Sequence, residues 1–200
     1  MIFSEILAHE GVREVCELRG TLGFMAYHGG SLEEMTDVIA SSAAELSGCS
    51  YYGVLLPPDL QWHIPSHHVR PEESLVLAEF FQHVDTVITI HGFGRAGFFT
   101  SLLLGGQNRR LATHVGGYLR TALPAYTVID TIDDIPYDLR GQHHNNPVNI
   151  AQHAGVQIEL PPRVRGTTPM FWDWEGPTPC PHTQSLISAL AQSAIAWSNK

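Results

Sequence analysis

Apolar runs separated by polar, Gly-rich and Pro-rich breaks divide the chain into short strands and amphipathic helices. Residues 21–27 (TLGFMAY) are too short for a buried helix and stop at His28-Gly29-Gly30, which predicts a buried strand with His28 at its C-terminal end. Ser31 and Glu34 have the spacing of a capping box. Val38, Ile39, Ala43 and Leu46 then recur at helical spacing up to Gly48, so a helix is expected directly after the Gly-Gly turn. Residues 51–56 predict a second strand, closed by Pro57-Pro58. Residues 71–83 predict a helix that opens on Pro71 and carries Glu72 and Glu73 at its positive end. Residues 86–90 (TVITI) are β-branched throughout and form the clearest strand, ending at His91-Gly92.

Further along, the pattern predicts strands at 97–104, 126–130 and 156–160 (VQIEL, stopped by Pro161-Pro162), and helices at 109–122 and 185–197. Strands alternating with helices define an α/β layered fold, here a mixed central sheet flanked by helices. A length of 200 residues with 44% hydrophobic content fits a single domain with a full core. The Pro-rich stretch 167–182 (TTPMFWDWEGPTPCPH) is expected to form a rim or lid.

Charge narrows the function. Twenty acidic residues against ten Arg and Lys200 give a net charge of −9, so no general phosphate-binding surface is available and nucleic acid is excluded as a partner. An acidic substrate would need a local pocket of Arg. Cys16, Cys49 and Cys180 are odd in number and widely spaced, which predicts reduced thiols rather than a disulfide framework or a thiolate zinc site. No run approaches the roughly 18 apolar residues of a membrane span, and the start does not resemble a signal peptide, so the expected location is cytoplasmic, away from membranes. The twelve His outnumber the eleven Lys and Arg, which directs attention to metal-ligand spacing.

In open α/β sheets ligands bind beyond the carboxyl ends of the strands, and polar residues there have no packing role. His28, His91 and Glu159 fall at or near three such ends, and Glu33, five residues beyond His28 across the Gly-Gly turn, can fold back beside it. Two imidazoles and a carboxylate suit Zn²⁺ and leave its fourth position for water. A carboxylate off the metal is then needed to move the water's proton. Glu159, between Ile158 and Leu160 in an apolar strand, would be costly there without a task or a partner.

These residues resemble the poly-γ-glutamate hydrolase family, whose fold is related to that of the zinc carboxypeptidases. The resemblance rests on His28-Gly29-Gly30-Ser31-Leu32-Glu33 with Thr36, His63-Ile64-Pro65-Ser66-His67, Ile90-His91-Gly92, and Gly155-Val156-Gln157-Ile158-Glu159-Leu160-Pro161. It implies zinc ligands at His28, Glu33 and His91, a proton-transferring Glu159, and a polymeric or small γ-glutamyl substrate. One departure stands out: the family pattern has Gly before the Thr, whereas this chain has Glu34-Met35-Thr36.

A carboxylated substrate calls for Arg, whose fork matches a carboxylate bidentately. Arg95, Arg109, Arg163 and Arg165 follow the expected active-site strands. In the stretch 140–149 (RGQHHNNPVN), His143 and Asn145 sit in a polar loop suited to substrate amides, and His67 is a further contact candidate. Three alternatives stay open on the residues alone. Glu159 could be a structural partner of Arg163 or Arg165. The enzyme could be a zinc-dependent deacylase or amidase of small N-acyl amino acids. The chain could be a non-catalytic metal-binding domain, although a structural zinc site closed by four ligands has no use for a free base.

Overall fold

The computed structural model describes residues 2–168, 170 and 175–199. Seven strands form one mixed sheet: β1 (Arg13–Glu17), β2 (Gly20–Gly30), β3 (Cys49–Leu56), β4 (Thr86–Gly92), β5 (Ser101–Leu104), β6 (Thr127–Ile129) and β7 (Gly155–Leu160). Their order is β1-β3-β2-β4-β7-β5-β6. Strands β3, β2, β4 and β7 run parallel, while β1 and β5 pair antiparallel at either side of that block and β6 follows β5. The carboxyl ends of β2, β4 and β7 therefore lie side by side at one edge of the sheet.

Two faces follow from the strand period of two. Ile88 and Ile90 of β4 and Val156, Ile158 and Leu160 of β7 point to one face. There they pack with α2 (Thr36–Ser47), α4 (Arg109–Ala122) and α6 (Pro181–Ser198) through Ile39, Ala43, Leu111, Val115, Leu186 and Leu190. Each such buried Ile or Leu contributes about 1.5–3 kcal/mol relative to exposure. On the opposite face Met25, Tyr27, Tyr52, Val54 and Val87 meet α1 (Phe3–Leu7), α3 (Leu75–His83) and Val148. Thr89, His91, Gln157 and Glu159 share that second face, where the register pairs Thr89 with Gln157 and His91 with Glu159. A polar stripe thus runs along the two central strands. The short α5 (Pro162–Arg165) follows β7 directly.

The sequence-based expectation of a capping box at Ser31 and Glu34 is corrected. Helix α2 begins at Thr36, with Met35 at the cap position in the left-handed conformation (φ 72°, ψ −6°). The Ser31 hydroxyl donates instead to the Pro57 carbonyl at 2.6 Å, and residues 31–35 form a tight turn in which Glu33 N–H donates to His28 O at 2.9 Å. Gly30 makes this turn possible: its φ is 70°, and a Cβ there would lie 2.3 Å from the Leu56 carbonyl oxygen.

The helix expected over 71–83 also starts later, at Leu75. Ser74 caps it by accepting from Leu77 N–H at 3.0 Å, and Pro71–Glu73 makes a separate single turn. The strand expected over 97–104 is confined to Ser101–Leu104, because Gly97 turns the chain at φ 85°. The terminal helix begins earlier than expected, with Pro181 in its first turn. Of the expected rim or lid at 167–182, residues 169 and 171–174, including Trp172 and Trp174, lie outside the described residues. No helix among the described residues is long and apolar enough to cross a membrane.

Candidate active site

Strand β2 delivers His28, β4 delivers His91, and the turn after β2 folds Glu33 between them. One Glu33 oxygen lies 3.0 Å from His28 Nδ1 and the other 3.3 Å from His91 Nδ1. The backbone N–H of Gly92 donates to the latter oxygen at 2.9 Å, which fixes the carboxylate plane. Both imidazoles are buried, with 3% exposure each.

The outer nitrogens decide what the inner ones can do. His28 Nε2 faces the Ile64 carbonyl at 3.1 Å, to which it can only donate. The His63-Ile64-Pro65-Ser66-His67 segment therefore orients His28 through its main chain. His91 Nε2 lies 2.9 Å from the Tyr27 hydroxyl. The Ile64 carbonyl thus turns His28 Nδ1, with its lone pair, toward the Glu33 carboxylate, and His91 does the same when its Nε2 donates to the Tyr27 hydroxyl. Such an arrangement calls for positive charge at the centre, supplied either by extra protons or by a cation.

One ligand atom from each of His28, Glu33 and His91 lies within 4.8 Å of the others, so the three could hold a metal ion. The donor set of two nitrogens and a carboxylate fits a borderline divalent metal, and the ring orientation fixed by the outer hydrogen bonds is what such sites require.

Electrostatics agree with this geometry. Burial alone would push the Glu33 carboxyl up, but the His28 and His91 imidazoles hold it well below the ordinary carboxylate range. Burial likewise disfavours charge on His91, yet the facing Glu33 raises its pKa overall. Glu159, beside His91 across the strand pair, is 5% exposed, and burial pushes it up to about 7, with Glu33 adding to the shift and His91, Gln157 and Arg165 opposing it. Gln157 Nε2 donates to Glu159 Oε1 at 2.8 Å.

These groups open into a cleft of about 650 Å³. His67 and His143 both line it, with rings 4.5 Å apart, and His63 lines it while packing on His28 at 4.6 Å. Asn145 is not among the lining residues; its N–H donates to His143 Nδ1, and the buried Asn146 beside it faces the cleft instead.

The arginines are distributed differently from the sequence-based expectation. Arg95 is held in a two-pronged pair with Asp138 at the cleft rim. Arg109 donates to the carbonyls of Leu104, Gly105, Gly106 and Asp130 at the start of α4 and does not reach the cleft. Arg163 lies over the Tyr126 ring at 5.4 Å, also away from it.

Two other arginines approach the site. Arg140 lines the cleft, its guanidinium held by Ile135 O at 2.8 Å and Asp133 O at 3.1 Å. Arg165, 8% exposed, donates to Leu160 O and Glu34 O and supplies buried positive charge near Glu33 and Glu159. Tyr27, Asn146 and Gln157 also belong to the site. Of these, Gln157 had a sequence signal, since it alternates with Glu159 as a polar position in an otherwise apolar strand.

This polar strand-end cluster is able to hold a metal, and comparison with known proteins gives the class of the chain, a hydrolase. The chain belongs to the poly-γ-glutamate hydrolase family, whose model matches residues 8–176. Its fold is similar to that of a bacteriophage poly-γ-glutamate hydrolase (TM-score 0.76, 19% identity, covering 98% of this chain and 94% of that one). It is also similar to a zinc-free YndL (TM-score 0.67, 18% identity, 91% and 90% covered). A candidate carboxypeptidase from Burkholderia mallei ATCC 23344 shares the fold more distantly (TM-score 0.55, 11% identity, 96% and 66% covered), in keeping with the carboxypeptidase-like architecture expected from sequence. None of the curated proteins matches the chain by sequence.

Proposed function

We propose that the chain is a zinc-dependent hydrolase that cleaves amide bonds in γ-linked polyglutamate or a related γ-glutamyl compound. The observation that carries this reading is the juxtaposition, at the floor of one cleft, of a three-donor cluster at His28, Glu33 and His91 with the separate buried carboxylate of Glu159. Bound by those three residues, Zn²⁺ would polarise the scissile carbonyl and bring the pKa of a water to roughly 7.

Glu159 acts as general base and then general acid: it takes a proton from the attacking water and returns it to the leaving nitrogen. In the metal-free site burial pushes this carboxyl up to about 7, and a cation bound beside it would lower it toward the ionised form that a base needs. Arg140, His67 and His143 along the cleft wall bind the substrate's free carboxylates. The three free thiols, Cys16, Cys49 and Cys180, support a reducing compartment such as the cytoplasm.

The test is zinc content together with turnover of γ-linked polyglutamate. One equivalent of zinc and release of γ-glutamyl fragments by the wild type, with zinc but no turnover in Glu159→Gln, is the expected result. Full turnover by zinc-loaded Glu159→Gln would remove the general-base assignment.

One observation favours a second reading, a hydrolase of short γ-glutamyl or N-acyl amides. Arg140 is the only arginine lining the cleft among the described residues, a sparse positive wall for a long polyanion on a protein of net charge −9. Faster cleavage of short γ-glutamyl oligomers than of polymer at equal bond concentration separates the two.

A further inference from the structure

A chain of hydrogen bonds runs beneath the cleft between the two sides of the candidate site. His91 Nε2 lies 2.9 Å from the Tyr27 hydroxyl, which donates to Asn146 Oδ1 at 3.4 Å. Asn146 Nδ2 donates to Gln157 Oε1 at 2.9 Å, and Gln157 Nε2 donates to Glu159 Oε1 at 2.8 Å. Tyr27, Asn146 and Gln157 are 2%, 5% and 4% exposed, so water does not substitute freely for any of these bonds.

The direction of the chain is set by main-chain groups that cannot reverse. The Val148 N–H donates to Asn146 Oδ1 at 3.2 Å, and a backbone N–H has no other option. Asn146 is therefore held with its oxygen toward Val148 and its NH₂ toward Gln157. That forces Gln157 to present its oxygen to Asn146 and its NH₂ to Glu159. At the other end the same Gln157 NH₂ donates to the Leu139 carbonyl at 3.4 Å, an acceptor that likewise has no alternative. Donor and acceptor constraints at opposite ends of the two amides agree. Space is fixed as well: Gly141 sits at φ 61°, and a Cβ there would lie 2.7 Å from Gln157 Oε1.

We propose that Gln157, locked by Asn146, is the positioning residue for Glu159. Its N–H holds one carboxylate oxygen in place and keeps that oxygen an acceptor, which leaves the second oxygen to exchange the proton in the cleft. This inference rests on the reading of Glu159 as the general base.

The experiment compares zinc-loaded wild type, Gln157→Met and Asn146→Ser on γ-linked polyglutamate, with zinc affinity measured by chelator competition. Methionine keeps the length of Gln157 and removes both hydrogen-bonding groups. Serine at 146 keeps an acceptor for Val148 N–H but cannot reach Gln157.

The expected result is a fall in kcat of about 10- to 100-fold in both variants, the usual cost of losing an orienting partner. KM and zinc affinity should stay within about threefold of wild type, a split that general loosening of the fold would not produce. If Gln157→Met fails to fold, Asn146→Ser decides alone. Wild-type kcat in a folded variant, alongside an inactive Glu159→Gln, overturns the positioning role while the general base stands. An active Glu159→Gln instead overturns the base assignment and this inference with it.

Discussion

His91 and Glu159 are direct partners across the parallel pair β4 and β7, on the sheet face away from α2, α4 and α6. Strand pairing alone therefore holds a candidate metal-binding imidazole beside a candidate proton-transferring carboxylate. The same register places Thr89 beside Gln157 one pleat earlier, so the support of Glu159 comes from the strand that carries it.

A pH dependence of stability follows from the burial of Glu159. In the metal-free protein its pKa rises from 4.5 to about 7, so the folded state favours the protonated carboxyl. The stabilisation from proton uptake is complete below about 4.5 and is lost as pH rises through about 7. Glu33 has the opposite sign, since its lowered pKa makes it stabilising above the ordinary Glu range and less so on acidification. Comparing wild type with Glu159→Gln isolates the first effect. Denaturant unfolding of the two metal-free proteins between pH 4.5 and 8 should show Glu159→Gln gaining on wild type as pH rises, by up to about 3 kcal/mol. A constant difference across that range would mean that Glu159 is not held in a desolvated site.

Metal should stabilise the fold through the same cluster. Chelation leaves the His28 and His91 Nδ1 atoms facing one carboxylate with only protons to neutralise it, whereas a bound cation satisfies all three groups. Zinc at about 100 times its Kd should add about 2.7 kcal/mol of stability, visible as a rise in Tm that chelator reverses. The rise should be absent in His28→Ala, and a full rise in that variant would place the metal elsewhere.

The strands that form the site were readable because β-branched or apolar runs stop abruptly at His28 and His91, while Glu159 interrupts one. Glu33 was readable because Gly29-Gly30 leaves room to fold back. The supporting residues were less accessible. Tyr27 and Asn146 meet across 119 positions, a contact that only the sheet order creates. Local signals also misdirected. Ser31 has capping-box spacing, but the Pro57 carbonyl takes its hydroxyl, and Pro71-Glu72-Glu73 looks like a helix start although Ser74 makes the cap. Proximity in sequence to a strand end did not identify the cleft arginine, because it does not tell which side of the sheet a following loop takes.

Met35 tests the cost of the turn that presents Glu33. A non-Gly residue at φ 72° carries about 1 kcal/mol of strain, while the Met35 side chain is half-buried against the core. Met35→Ala loses packing and keeps the strain, whereas Met35→Gly loses packing and relieves it. Relief of about 1 kcal/mol of strain, less the roughly 0.4–1 kcal/mol of glycine's larger unfolded-state entropy, leaves glycine more stable than alanine by at most about 0.6 kcal/mol. Thermal unfolding of the pair measures this, and an alanine variant more stable than the glycine one by the full entropy difference would mean that the turn relaxes without strain.

Arg109 and Arg140 should separate stability from substrate binding. Arg109 is bound by four main-chain carbonyls, those of Leu104, Gly105 and Gly106 between β5 and α4 and that of Asp130 after β6, so its guanidinium ties the two segments together. Arg109→Ala should lower stability by about 2 kcal/mol and leave KM unchanged, since no part of the residue lines the cleft. Arg140 lines the cleft and is anchored by Ile135 O and Asp133 O, which aims its charge; its only carboxylate partner among the described residues is the exposed Asp133, at 3.7 Å. Removing one charge-assisted contact to a substrate carboxylate costs about 1.4 kcal/mol, so Arg140→Ala should raise KM about tenfold with a smaller change in kcat. The increase should shrink at high salt, because a partly exposed pair is screened. A KM that rises in Arg109→Ala and not in Arg140→Ala would reverse the assignment and put the substrate on the other side of the sheet.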